Sequence, residues 1–304
     1  MNAVKEAIKM KASLLGFSSC GFARAQPLQD LRIFYSEFVS REQIPGLSYL
    51  YSQFEKRLDP RLIMKDAVSV ICVMMNYYPP ETISPENNFI ISRYAYGKDY
   101  HIIMKERMAA LTGFLRKESP GVNARSFVDS GPLLEKAWAL RCGVGWQGKN
   151  TLIIRPGKGS FFFIGILLTN LELEPDLPAS THCGECDRCM KACPTGALDT
   201  PYRLDISRCI AYWTIEKNRG IPVEIRHKLN GRIFGCDICQ EVCPHNRYAT
   251  GHHEPEFLPS SELRNLRKED WMKLSEEDFV RIFSVSPVRR TGYDRFIYNI
   301  MAGL

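Results

Sequence analysis

The sequence predicts a mixed α/β chain: an N-terminal domain of helices and strands, a small cysteine-bearing domain, and a helical tail. Three observations carry that prediction. Residues 1–170 switch between helical apolar spacing and short β-rich runs. Eight of the eleven cysteines fall within residues 183–243. From Phe257 to Leu304 the apolar residues return to helical spacing. The expected boundaries are 1–172, 173–255 and 256–304.

Val4, Ala7, Ile8, Leu14 and Leu15 lie roughly at helical spacing, so the chain opens with an amphipathic helix. The run Ala67–Met75 reads as a buried strand, ended by Pro79 and Pro80. Residues 101–118 read as a helix. Thr151–Ile154, the turn Arg155–Ser160 and the run Phe161–Thr169 read as a β-hairpin. Residues 171–182 carry Pro175, Pro178, Glu172, Glu174 and Asp176, and read as a linker. Short helices are expected after each cysteine run, and Ser275-x-x-Asp278 reads as a capping box in the tail.

With 304 residues, 45% hydrophobic and 24% charged, the composition is ordinary for a soluble chain that buries a core. An odd count of eleven cysteines argues against a disulfide framework and for a reducing compartment. The N-terminus scatters charges where a signal peptide would be apolar. The longest apolar stretch, Phe161–Leu168, is far short of a bilayer span. A cytoplasmic chain with no membrane partner is expected. The formal charge of +6 permits a nucleic-acid partner without requiring one.

The cysteines form two runs. The first is Cys183-x2-Cys186-x2-Cys189-x3-Cys193-Pro194; the second is Cys209, then Cys236-x2-Cys239-x3-Cys243-Pro244. Each reads as the ligand run of a 4Fe–4S cluster, and in two-cluster ferredoxins the fourth Cys of a run ligates the other cluster. Cys183, Cys186, Cys189 and Cys243 are therefore assigned to one cluster, and Cys193, Cys209, Cys236 and Cys239 to the other. Structural zinc is the alternative, but zinc sites pair two cysteines with two and rarely place three so closely. No Cys-x-x-Cys-His run for haem attachment occurs. Cys20, Cys72 and Cys142 read as buried apolar residues. The long segment before the clusters implies a second centre that spends their electrons: a flavin, a metal centre or a corrin.

Val128–Lys136, Gly143–Asn150, Arg93–His101, Lys56–Arg61 and Gly235–Gln240 carry a family resemblance. With the two cysteine runs, they resemble the epoxyqueuosine reductases, cobalamin-dependent iron–sulfur enzymes of the last step of queuosine synthesis in tRNA. The resemblance spans roughly residues 1–300 in order. It implies a nitroreductase-like domain that binds cobalamin, followed by a ferredoxin-like double 4Fe–4S domain. It also implies a reaction: the epoxide of epoxyqueuosine at the tRNA wobble position becomes the alkene of queuosine, as two electrons and two protons enter and water leaves.

Asp129 matches the family's proton donor, and acting near neutrality would require burial to raise its pKa. Read without the resemblance, Asp129-Ser130-Gly131 is a turn. Arg57, Tyr96, Gly97, Lys149, Asn150, Ile153, Ala211 and Asp237 match cobalamin-contact positions. Gly143, Gly145 and Gly148 would serve tight turns that let backbone approach the corrin, and Trp146 reads equally as core or cofactor wall. Asp99-x-His101 is not the Asp-x-His-x-x-Gly cobalt-ligand motif, because position 104 is Met; the family leaves cobalt without a protein His, and His101 reads as structural. His182 and His245 read as solvated loop residues.

Lys136 and Arg155 resemble tRNA contacts. Lys217, Arg219, Arg226, Lys228 and Arg232 form a basic stretch beside Tyr212 and Trp213, suited to phosphates and to stacking a splayed anticodon base, or else a solvated charged face. Longer relatives add C-terminal helical repeats that grip tRNA; here Arg281, Arg289, Arg290 and Arg295 are the substitute candidates. The resemblance further implies an anticodon stem-loop substrate, a flavodoxin- or ferredoxin-like electron donor and a monomer. The rival readings are a reductive dehalogenase, a non-catalytic electron carrier, and an RNA-binding module with structural clusters.

Overall fold

The structure is a computed structural model and describes residues 2–40, 44–217 and 220–304. Its centre is a four-stranded antiparallel sheet. Strands β1 (Ser19–Arg24), β2 (Ser69–Asn76), β4 (Ala124–Phe127) and β7 (Phe162–Thr169) run in the spatial order β1-β2-β7-β4. Strand β2 is buried from Ser69 to Met75 because both faces of the sheet are covered. Val70, Cys72 and Met74 face one core with Trp138, Ala139 and Cys142 of the helix Glu135–Arg141. Ile71, Val73 and Met75 face the other, with Ile8 and Ala12 of the helix Asn2–Leu14 and Ile103, Met104 and Met108 of the helix Tyr100–Glu118. A strand covered on both sides carries an unbroken apolar run, which is how β2 reads in the sequence.

The expected hairpin of Thr151–Ile154 with Phe161–Thr169 does not form. Strand β6 (Ile153–Ile154) pairs with β5 (Trp146–Gln147), while β7 pairs with β2 and β4. The turn itself closes through an Arg155–Gly159 bridge. The chain then leaves toward the central sheet, where the eight residues of β7, six of them large and apolar, gain two strand neighbours in place of one short partner. The acidic stretch 171–182 is extended, as a linker should be, but it is pinned. Asp176 accepts from Lys5 Nζ at 2.8 Å and from the Phe22 backbone N–H at 3.1 Å.

In the cysteine region the helical turns Arg188–Lys191 and Ile238–Glu241 lie inside the cysteine runs and not after them, although a 3₁₀ turn, Pro244–Tyr248, does follow the second run. The C-terminal segment is helical as expected, and the Ser275/Asp278 capping box is present. Its core does not stand apart from the first 172 residues. Phe89, Ile91, Ala95 and Tyr96 share it with Trp271, Phe279, Phe283 and Phe296, and β3 (Ile90–Ile91) pairs in parallel with β8 (Arg232–Phe234). Among the described residues no helix is long and apolar enough to cross a membrane.

Candidate active site

Strand β4 delivers the chain into the loop Val128–Leu134, and Asp129 sits at its turn with φ +58°. An L-residue in this left-handed region costs on the order of 1 kcal/mol, least for Asp and Asn. The turn is closed by Ser130 N–H donating to the Val128 carbonyl at 2.6 Å. Gly131 is needed because a Cβ there would lie 2.6 Å from the Phe127 ring. The Asp129 N–H donates to Glu135 Oε1 at 2.6 Å.

The Asp129 carboxylate meets a chain of charged groups. His101 Nε2 lies 3.0 Å from Asp129 Oδ2, and His101 Nδ1 lies 2.7 Å from Asp99 Oδ1. Asp99 is also the N-cap of the helix Tyr100–Glu118, accepting from the His101 backbone N–H at 3.0 Å. Arg290, from the turn Pro287–Thr291, donates to Asp99 Oδ2 at 2.6 Å and touches the His101 ring. The Tyr100 hydroxyl also reaches Asp129.

Burial opposes a charge on His101, but hydrogen bonds to Asp129 and Asp99 outweigh it and raise its pKa. The same bond from His101 is the largest influence on Asp129 and holds its carboxyl below the usual range, although burial pushes the other way. The expectation of a raised Asp129 pKa is therefore corrected. Its carboxylate is 59% exposed, and the His101 imidazole is its nearest partner. Reading His101 as structural left out its bond to Asp129. The sequence signal was Asp99-x-His101 at a helix start, where an N-cap fixes the ring's direction.

Glu135 is the second carboxyl of the site. Burial, then the charge of Asp129, lifts its pKa to about 8. Lys136 is exposed to solvent yet densely surrounded, and that desolvation lowers its pKa against the pull of Cys239 and Cys209. Tyr49 is half exposed; burial and then the charges of Glu216 and Asp129 lift its hydroxyl pKa to about 12. Glu216 ends a π-helical turn, Tyr212–Glu216, just after Cys209, and such turns mark functional sites frequently.

All eleven cysteines are free thiols. Cys183 and Cys186 act electrostatically on both Cys189 and Cys243. Cys209 feels Cys193, and Cys239 feels Cys236 and Cys209. Cys189 also acts on Cys239, so these couplings run both within and between the two expected sets. The set containing Cys209 and Cys239 is the one beside Lys136, and so beside the Asp129 loop. Trp146, 2% exposed, packs on Cys243 and Cys183 with His182 and His245 edge-on, each at 4.9 Å. It is therefore core, and the two histidines wall the cysteine site.

Residues 57–130 match the family model described as epoxyqueuosine reductase QueG, DUF1730, and residues 182–246 match that of a 4Fe-4S double cluster binding domain. An epoxyqueuosine reductase of Cellulophaga algicola is 42% identical over 293 residues, covering 96% of this chain and 95% of that protein. The chain belongs to the epoxyqueuosine reductase family. The family's Escherichia coli enzyme is 35% identical over 309 aligned positions, covering 100% of this chain and 81% of its own length. Two solved epoxyqueuosine reductases superpose with a TM-score of 0.88, each over 100% of this chain and 81% of its own. One, 31% identical, holds an epoxyqueuosine-modified tRNA-Tyr stem loop; the other, from Bacillus subtilis and 30% identical, has its catalytic aspartate loop swung out of the active site. A catabolic reductive dehalogenase shares the fold at a TM-score of 0.50 and 18% identity, over 81% of this chain and 32% of its own.

Several positions that match epoxyqueuosine reductase cofactor contacts have protein partners here. Arg57 is buried and donates to the Tyr49 carbonyl at 2.6 Å and the Ser52 carbonyl at 3.2 Å. Tyr96 is buried, and a Cβ on Gly97 would lie 2.3 Å from the Glu256 carbonyl, so Gly97 lets the 255–257 turn approach. Lys149 donates to the Gly184 carbonyl at 2.7 Å and Asn150 to the Cys239 carbonyl at 3.2 Å, bracing both cysteine runs. Ile153 is buried in β6. Asp237 is buried, receives the Ser92 hydroxyl, and accepts from the Arg93 N–H at 2.8 Å. Ala211 starts the turn behind Cys209 and is only partly buried.

Gly143 and Gly145 permit approach of the Leu177 and Ile154 carbonyls, and Gly148 that of the Asn150 and Ile154 side chains. Arg155 donates to the Ser18 carbonyl, whereas Lys136 is exposed and Lys217 partly so. Tyr212 is buried with its hydroxyl on the Pro45 carbonyl at 2.9 Å, so it does not stack a base. Arg226 donates to Ile221 and Tyr298, and Arg219 lies outside the described residues. Arg281 pairs with Glu262 and Asp278, Arg290 serves Asp99, Arg295 is buried and Arg289 is exposed.

Proposed function

We propose that this chain reduces the epoxide of epoxyqueuosine in the tRNA anticodon loop to the alkene of queuosine, with Asp129 as proton donor and His101 as proton store. The observation that carries the reading is the Asp129–His101 hydrogen bond, on a loop next to the cysteine region. Lys136 feels the charges of Cys239, Cys209, Asp129 and Glu135, which ties that pair to the cysteines. The eight cysteines of residues 183–243 are free thiols whose spacing suits two 4Fe–4S clusters, although among the described residues no group of three or more His, Cys, Asp or Glu is placed to hold a metal ion. Both nitrogens of His101 are taken by carboxylates, so that ring is not free to ligate a metal. Cobalamin bound beside Asp129 would supply low-potential electrons to the substrate carbon.

The chain's own residues do the rest. The Cys183, Cys186, Cys189 and Cys243 set would take electrons from a flavodoxin- or ferredoxin-like donor. Opening a C–O bond leaves negative charge on oxygen, and a positioned acid there contributes about 10²–10⁴-fold. Asp129 takes a proton from the His101 imidazolium, which Asp99 favours, and relays it to that oxygen, leaving His101 neutral until it is reprotonated from solvent. Lys136 and Lys217 are the cations placed to meet RNA phosphate.

Anaerobic turnover tests this reading. Protein loaded with clusters and cobalamin is given an epoxyqueuosine-containing stem-loop and a strong reductant, and nucleosides are read by mass spectrometry. Loss of one oxygen that requires cobalamin is expected. No conversion with both cofactors bound would overturn it.

A further inference from the structure

We propose that Glu135 is a positioning residue that holds the Asp129 loop in place by gripping the Asp129 backbone amide. Three observations lead there. The loop turns on a left-handed non-glycine residue, a conformation that persists only when its surroundings restrain it. The Asp129 N–H points to Glu135 Oε1 at 2.6 Å, while the side chain of the same residue is held separately by His101. Glu135 itself stands on a rigid base: it opens the helix Glu135–Arg141, whose Trp138 and Ala139 are 1% and 0% exposed against the central sheet. A carboxyl projecting back from a fixed helix is a better anchor than one on a loop.

The charge state suits the task. An ionised Glu135 would hold the amide of Asp129 while repelling its carboxylate. The burial and the Asp129 charge that raise the Glu135 pKa favour the neutral acid, which accepts the N–H through its carbonyl oxygen. Glutamine offers the same oxygen in nearly the same place. In the Bacillus subtilis relative the catalytic aspartate loop has swung out of the active site, so loops of this kind have a second position to be held against.

This inference rests on Asp129 as the acid, and its test separates the two. Hydrogen exchange of the 128–134 segment and stem-loop turnover are measured on the cofactor-loaded protein for wild type, Glu135→Leu and Glu135→Gln. In Glu135→Leu the Asp129 amide should exchange faster and kcat should fall about 3–10-fold with KM nearly unchanged, the scale of one hydrogen bond. Glu135→Gln should restore protection and most of kcat. In an Asp129→Asn background Glu135→Leu should still release the amide but cost no further turnover. Unchanged exchange in a folded Glu135→Leu would overturn the proposal. So would Glu135→Gln with protection intact and turnover lost, which would make Glu135 a proton donor in its own right. Full turnover in Asp129→Asn would remove the acid assignment, while the exchange data would still decide the grip.

Discussion

The cysteine region and the Asp129 loop are held by different means. Most cysteines are set by local chain: each run places three thiols within a few residues, on short turns braced by Lys149 and Asn150, and only Cys193 and Cys243 are assigned across to the other run. Asp129 is set from far away in sequence. His101 is 28 residues distant, and Arg290 reaches His101 across 189. A locally set site is legible in spacing and fails all at once. A site assembled from distant charges is silent in spacing and fails by degrees, with pH as a lever.

The largest effect should come from the cysteine region. Cys239→Ser removes a ligand from the cluster set beside Lys136, and turnover should vanish while the other set keeps its iron; iron content and electron paramagnetic resonance check this. Retained turnover would show that electrons reach the substrate without that set. Next, Asp129→Asn should lower kcat by about 10²–10⁴-fold with little change in KM for the stem-loop. A large rise in KM would move Asp129 from chemistry to binding.

His101→Gln should cost less, because Asp129 can still draw protons from water. Its signature is in the pH profile. The His101 pKa is raised, so its proton is present at low pH and lost as pH rises through the folded value. The wild-type rate should fall on that alkaline limb, and the variant should lack it. The smallest effect concerns stability. Glu135 keeps its proton to about pH 8 in the folded chain, against a usual value of 4.5. Its contribution is complete below about 4.5 and is lost as pH climbs to about 8. Glu135→Gln should therefore flatten the fall of Tm over that window, and an unchanged slope would mean Glu135 is ionised at neutrality.

The same contrast explains what the sequence revealed. Cysteine spacing pointed to two clusters, as the matched 4Fe-4S double cluster binding domain does, and the unbroken apolar run of β2 announced a strand covered on both faces. The capping box at Ser275 was readable because it is written within four residues. The hairpin was misread because β7 finds its partners, β2 and β4, elsewhere in the chain. Asp129 was legible only through family likeness, since an isolated Asp-Ser-Gly is a turn. The downward pull on its pKa comes from His101, and nothing near Asp129 in sequence announces that partner. Gly97, Gly145 and Asp237 stood in motifs that suggested cofactor, yet their closest partners are protein backbone or side chains.

The central claim is that the proton waits on His101 while Asp129 is ionised. Nitrogen-15 shifts of the six histidines, assigned by loss of one signal in His101→Gln, test it directly in the cluster-loaded protein. Both His101 nitrogens should be protonated at neutral pH, with titration only on the alkaline side. A neutral His101 ring at pH 7, titrating at or below the ordinary histidine value, would contradict the account.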